Sequence, residues 1–299
     1  MKQADCYLAY ICCCRFRTKV YSTSQNGRFV LMEPMSQPET FERPVFTGVE
    51  GFIRLEGVSK SFGDLHVIDA LDLSIRKGET LSLVGNSGTG KSVLIKMLIG
   101  LLQPDQGKIW LEGREVQNFD EQEWMPIRRY TSMLFQANAL FDSLTVYENI
   151  AYPLREHFSM PEQEISNKVS EVLEWVLLPG IEYQYPSELS GGMRKRIGVA
   201  RAIVTQPQIV LYDEPTAGLD PISTTVVGNM IKRLQHQNGV TSIVITHDLK
   251  SAMEVGDRVA LLHQGKVQGV DTPDGMLAST DPVIHDFFEG YRMMMEVLG

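Results

Sequence analysis

From Phe52 onward, short apolar runs alternate with stretches whose apolar positions recur at helical spacing, a pattern that predicts a parallel or mixed α/β sheet. The segments "FIRLEGVSKSF", "ALDLSI" and "KIWLEG" predict strands of an antiparallel layer, whereas "TLSLVG", "TSMLFQ", "QIVLYDE" and "TSIVITHD" predict buried central strands. Two of these four end directly in polar residues. Ligands of open α/β sheets lie beyond the carboxyl ends of the strands, so chemistry is expected there. Between Asn138 and Thr205 the strand signal fades into helical patterns broken by Pro153, Pro161, Pro179 and Pro186, which predicts a helical insertion in an α/β core. After His247, "RVALLHQGKVQGV" predicts a hairpin turning at Gln264-Gly265. A helical tail follows from about Asp281 to Leu298, with Val283, Phe287, Phe288 and Met294 as its candidate apolar face. No internal repeat is found.

The chain has 299 residues, 43% of them hydrophobic and 22% charged, ample for a sizeable core. Its net charge of −9 argues against a dedicated nucleic-acid partner, which would require a basic footprint. No apolar run reaches the roughly 18 to 20 residues that span a bilayer.

Residues 1–31 differ from the rest. They carry five basic residues against Asp5 alone, a balance of +4, so the remaining chain holds −13 of the total −9. All four cysteines, Cys6, Cys12, Cys13 and Cys14, also lie there, so no disulfide is expected in the main body, which suits a reducing compartment. The favoured expectation is a disordered leader or mis-assigned start, with Met32 or Met35 opening the compact protein. A targeting peptide and a lipidated or metal-binding cysteine cluster are the other readings, although adjacent cysteines make a poor zinc site. The expected layout is a leader over 1–49, a main domain over 50–280 with a helical insertion at about 138–205, and a helical tail over 281–299.

The segment "GNSGTGKS" (Gly85, Asn86, Ser87, Gly88, Thr89, Gly90, Lys91, Ser92) follows a predicted strand and opens the apolar helix "VLIKMLIGLL". This is the P-loop pattern in the context it requires. Its glycines let backbone N–H groups curl around an anion, and the helix N-terminus adds positive potential. Lys91 is expected at the β- and γ-phosphates and Ser92 on Mg²⁺. The second phosphate partner is "QIVLYDEP", where Asp213 is placed to hold Mg²⁺, directly or through water. Glu214 is expected to point the other way on an extended chain and address the attacking water.

Together these residues resemble the nucleotide-binding subunit of ATP-binding-cassette (ABC) transporters over approximately Phe52 to Val270. The resemblance implies an α/β P-loop NTPase fold, an ABC-type nucleotide-binding domain with a RecA-like core, an antiparallel β layer and a helical insertion. It implies an adenine-stacking role for Phe62 in "SKSFGDLHVIDAL". Gln136 in "LFQANALF" matches the Q-loop glutamine, which reaches Mg²⁺ and links the site to the membrane partner. "LSGGM" matches the signature, so Ser190, Gly191 and Gly192 are implied to meet a γ-phosphate. "AGLD" (Ala217 to Asp220) matches the D-loop and His247 the switch histidine. Glu214, His247 and Gln136 are thus the implied catalytic set, and ATP and Mg²⁺ the implied cofactors.

A finer resemblance, to ATPases of Mla-type phospholipid transporters, which include the plastid lipid importer and Mce-associated ATPases, rests on "SGTGKSVLIK", "ALFDSLTVYENIAYPLREH", "SELSGGMRKRIGVARAI" and "LYDEPTAGLDPI". Asp142-Ser143 stands where many ABC importers have Pro-His, and Met193 where they have Gln. Val93 replaces a second P-loop hydroxyl, so one phosphate hydrogen bond, about 1.5 to 3 kcal/mol if uncompensated, is expected to be absent.

The resemblance implies a head-to-tail homodimer, each ATP lying between one P-loop and the other subunit's signature, and an integral membrane permease that meets the Ala137–His157 segment. It further implies an Mce-domain substrate-binding protein; the tail is expected either to pack on its own domain or, as the resemblance implies, to dock across the neighbouring subunit or help hold a small STAS-domain partner. The implied location is the cytoplasmic face of the inner membrane, or the stromal side of a plastid inner envelope if the leader is a transit peptide. The alternatives are another ABC importer's ATPase, an FtsE-like regulator, or a soluble non-transport ABC protein.

Overall fold

The computed structural model describes residues 51–136 and 139–298; the leader with its cysteines, and Ala137 and Asn138, lie outside the described residues. Two sheets organise the described residues. The first contains β1 (Ile53–Phe62), β2 (Leu65–Ile75), β4 (Gln106–Leu111) and β5 (Arg114–Glu115), all antiparallel in the order β2-β1-β4-β5. The second has the order β10-β9-β3-β8-β7-β6, where β3 is Thr80–Val84, β6 Thr131–Leu134, β7 Ile209–Asp213, β8 Thr241–Ile245, β9 Arg258–His263 and β10 Lys266–Asp271. Its strands from β9 to β6 are parallel, and β10 is antiparallel to β9. The predicted antiparallel layer and buried strands are therefore found. One position differs: β6 occupies the edge of its sheet and is half exposed at Ser132 and Met133.

Strand alternation builds two cores from one sheet. On β7, Ile209 and Leu211 join the cluster between the two sheets, whereas Val210 and Tyr212 face a cluster of helices. On β8, Ile243 and Ile245 point one way and Val244 the other. Most of that second cluster comes from the helices α3 (Val146–His157), α4 (Glu162–Trp175), α5 (Gly191–Ile203) and α6 (Pro221–Asn238). Earlier in the chain come α1 (Lys91–Leu98) and α2 (Glu121–Tyr130). The apolar pattern does not single out α2, although its capping box, Asp120 with Glu123, is a readable start signal.

Thr145 and Glu148 form a second capping box at the start of α3. Pro153 lies inside that helix rather than ending it, while Pro161 caps α4 and Pro186 opens a short 3₁₀ turn. The β9–β10 hairpin turns at Gln264 and Gly265, with φ of 46° and 79°, the conformation of a two-residue type I′ turn.

After α7 (Leu249–Val255) and α8 (Pro273–Leu277), the tail forms α9 (Pro282–Leu298). Ile284 and Phe288 of α9 are buried against Val84, Ala252, Val259 and Leu261, with Val283, Phe287 and Tyr291 packed alongside. Met294 does not share this face: it is exposed, as are Met293 and Met295. The tail's first half is thus part of the core.

Candidate active site

Parallel pairing brings the carboxyl ends of four strands to one edge. In register, Leu83 of β3 pairs with Ile245 of β8 and Ile245 with Asp213 of β7, while Tyr212 pairs with Leu134 of β6. The P-loop, Asp213-Glu214, Thr246-His247 and Phe135-Gln136 therefore emerge side by side.

The P-loop joins β3 to α1 as predicted. Gly85 lies against β9 so closely that a Cβ would collide with the carbonyl oxygen of Leu262. Gly90, at φ 102°, caps α1 and would place a Cβ 2.6 Å from Ile68 Cδ1. Gly88, at φ 80°, faces open space and leaves the backbone approachable. Thr89 Oγ1 donates to the Asn86 carbonyl at 2.9 Å, tightening the turn. Lys91 Nζ donates to the carbonyls of Gly85 (2.6 Å) and Asn86 (2.8 Å). Burial pulls the Lys91 pKa below its ordinary value, and the charges of Glu214 and Asp213 oppose that fall. Val93 packs against the core between the sheets, which accounts for an apolar residue at that place.

Ser92 is exposed, and its Oγ donates to Asp213 Oδ1 at 3.5 Å. Burial raises the Asp213 pKa, and the Ser92 hydroxyl acts against that rise. A hydroxyl and a carboxylate converging at one spot offer the hard oxygen ligands that Mg²⁺ takes, so these residues fit that ion. Among the described residues no group of three His, Cys, Asp or Glu side chains forms a metal cluster.

Glu214 departs from expectation. It is not extended: φ is +52°, in the left-handed region, and its N–H donates to Ile245 O at 2.9 Å. The turn aims its carboxylate at His247, with Oε2 2.9 Å from Nδ1. The Glu214 side chain is 12% exposed and that of His247 67%, so the pair runs from the protein interior toward solvent.

Gln136 is exposed just past β6, and Phe62 is 47% exposed at the end of β1, where the Lys60 ammonium lies 5.7 Å from its ring. A recess of roughly 240 Å³ opens beside the P-loop, lined by residues 86–89 together with Leu65, His66, Val67 and His263. Phe62 is not part of that lining.

The signature begins α5. Ser190 is its N-cap, and its Oγ accepts from the N–H of Met193 at 3.2 Å. A Cβ on Gly192 would approach Ser223 Oγ to 2.7 Å, so the glycine permits close contact with the start of α6. That start is capped by Asp220 of the predicted D-loop, which accepts from Ser223 N at 3.0 Å. Met193 packs against the helical core.

A family model described as ABC transporter matches residues 68–217, from within β2 to Ala217 at the start of the D-loop. The chain belongs to the ABC transporter family. It is an ATP-binding, ATP-hydrolysing member. Its relatives include the probable ribonucleotide transport ATP-binding protein mkl of Mycobacterium leprae, 41% identical over 81% of this chain and 70% of that protein. Another is the intermembrane phospholipid transport system ATP-binding protein MlaF of Haemophilus influenzae, 36% identical over 81% of this chain and 91% of that protein. The dimeric post-hydrolysis structure of the ATP-binding cassette MJ0796 bound to ADP and Pi aligns with a TM-score of 0.69 at 30% identity, covering 74% of this chain and 98% of that one.

Sequence reasoning missed one residue of this ABC site. Lys195 of α5 is 3% exposed and reaches the sheet edge, where Nζ donates to the carbonyls of Gln136 (2.6 Å) and Glu214 (3.1 Å). The available signal is its place four residues before buried Val199, on the apolar stripe of the helix.

Proposed function

We propose that this chain is the ATPase subunit of a membrane phospholipid transporter, acting as a head-to-tail dimer. The observation that carries the catalytic part is the Glu214–His247 pair beside Lys91, Ser92 and Asp213 at one sheet edge. Lys91, Ser92 and the backbone of Gly85, Asn86, Ser87, Gly88, Thr89, Gly90 and Val93 cradle the phosphates, and Phe62 stacks on the adenine. Asp213, Ser92 and Gln136 hold the Mg²⁺ that supplies charge compensation to the phosphates. Glu214 orients the attacking water and takes its proton, while His247 contacts the γ-phosphate.

Ser190, Gly191 and Gly192 meet the other subunit's γ-phosphate through the positive end of α5. This completes the site only when two chains close. The dimeric MJ0796 cassette supports that arrangement. The domain runs over 50–280, with the helical insertion at about 138–205 facing the permease through the segment ending at His157. The tail, 281–299, leaves Met293, Met294 and Met295 exposed for a neighbouring subunit or a STAS-domain partner. Among the described residues no helix is long and apolar enough to cross a membrane; in the proposed complex the chain works with an integral membrane permease and an Mce-domain substrate-binding protein. The complex belongs on the cytoplasmic face of the inner membrane, or in a plastid envelope if the leader directs import.

Phospholipid as cargo is supported by the MlaF relative, matched over 91% of its length, and by Met193 in the signature. The name of the mkl relative favours a second reading, ribonucleotide transport. The experiment is reconstitution of the purified chain with its cognate permease in liposomes. Labelled phospholipid moving with ATP, and stopping in Glu214→Gln, supports the proposal. Movement of labelled ribonucleotide with phospholipid static would replace it with the second reading.

A further inference from the structure

Lys195 stands between the two loops on which the proposed reaction depends. Leu134 at the end of β6 and Tyr212 near the end of β7 are paired neighbours, and their strands continue into Gln136 and Glu214. The Lys195 ammonium bridges the main-chain carbonyls of those two residues. A buried ammonium is costly unless its protons are used, and here two of its three donors are committed to backbone. The flanking residues of α5 act elsewhere: Arg194 bonds the Leu189 carbonyl and Arg196 the carbonyls of Val176 and Leu177, all within the helical part. Lys195 reaches from that part to the sheet edge.

The helix carrying this lysine also begins with the signature. One rigid element therefore carries the proposed donors to the γ-phosphate at its start and contacts the Gln136 loop and the residue bearing the proposed base.

We infer that Lys195 is a positioning residue for ATP hydrolysis: it fastens the main chain at Gln136 to that at Glu214, so displacement of the permease-facing loop moves the base. The inference rests on Glu214 serving as that base. Bonds to carbonyl oxygens suit the task because they fix the path of both loops without occupying the side chains that do the chemistry.

The test uses the purified full chain and Lys195→Met, which keeps length and loses every donor, with Lys195→Arg as the conservative variant. Hydrogen–deuterium exchange without nucleotide should rise about tenfold in peptides containing Gln136 and in those containing Glu214, with β3 and β8 unchanged. In ATPase assays kcat should fall on the order of 10- to 100-fold in Lys195→Met, with the affinity for a fluorescent ATP analogue held within about threefold. Lys195→Arg should recover most of that loss.

Exchange rising evenly through α5 and the sheet, or kcat within about twofold of wild type, would overturn the inference. A kcat loss matched by lost nucleotide binding would overturn it too. If Lys195→Met does not fold, Lys195→Leu, which also loses every donor, is read by the same criteria. Should Glu214→Gln retain full turnover, the base assignment fails, while the nucleotide-free exchange still reads the clamp by itself.

Discussion

The carboxylate of Glu214 meets Nδ1 of His247 at 2.9 Å because the backbone at Glu214 leaves the strand in the left-handed region, at φ +52°. For a residue with a side chain this conformation costs about 1 to 2 kcal/mol. The hydrogen bond from its N–H to the Ile245 carbonyl helps hold it there. Glu214→Gln keeps the shape and removes the charge. Phosphate release should fall by about 10² to 10⁴ while titration with a fluorescent ATP analogue shows retained binding.

The back of the P-loop has no room. In Gly85→Ala the new methyl collides with the Leu262 carbonyl, so either the loop or β9 must move. Urea denaturation should show a loss of about 1 to 3 kcal/mol, accompanied by weaker nucleotide binding. Gly88→Ala, whose Cβ meets nothing within 4 Å, should carry a backbone penalty of about 1 kcal/mol.

The tail separates into a packed part and an available part. Phe288 is fully buried and meets Phe287 edge-on at 5.1 Å. Phe288→Ala should destabilise the domain by about 3 to 5 kcal/mol in equilibrium unfolding. Met294→Ala, on the exposed stretch, should stay within about 0.5 kcal/mol; a large loss there would contradict the division.

Acid should loosen the start of α9. The Asp281 carboxylate accepts from the N–H groups of Val283 (2.9 Å) and Ile284 (3.1 Å) and from Gln268 Nε2 (3.0 Å). These bonds hold its pKa below the usual aspartate value, the Ile284 N–H contributing most. A depressed folded-state pKa gives stability that is complete above the unfolded pKa and lost as pH falls through the folded one. The stability gap between wild type and Asp281→Asn, measured by thermal unfolding across acid pH, should therefore shrink as pH is lowered.

The strands were legible because each is a short apolar run bounded by glycine or polar residues, and the P-loop because its glycines stand between strand and helix. Val84, Asp213 and Ile245 end their strands near the predicted places. The edge position of β6 was not legible, since Met133 and Leu134 are as apolar as interior residues. Pro153 reads as a breaker in sequence, yet α3 continues through it, with Ile150, Ala151 and Leu154 buried. At the candidate site, the turn at Glu214 depends on a distant carbonyl, and the reach of Lys195 depends on which strands lie beside α5. Both are properties of the assembled sheet. Met294 shows the opposite error: helical spacing grouped it with Phe287, but the supporting surface ends before it.

The two-sided packing of β7 has a consequence for anyone placing probes. Leu211 and Tyr212 are adjacent in sequence, yet Leu211 faces the layer between the sheets and Tyr212 the helices. A fluorine label on Tyr212 would report motion of the helical half, and a methyl label on Leu211 motion of the antiparallel half. Two neighbouring residues on a single strand thus act as separate gauges for the two sides of the machine.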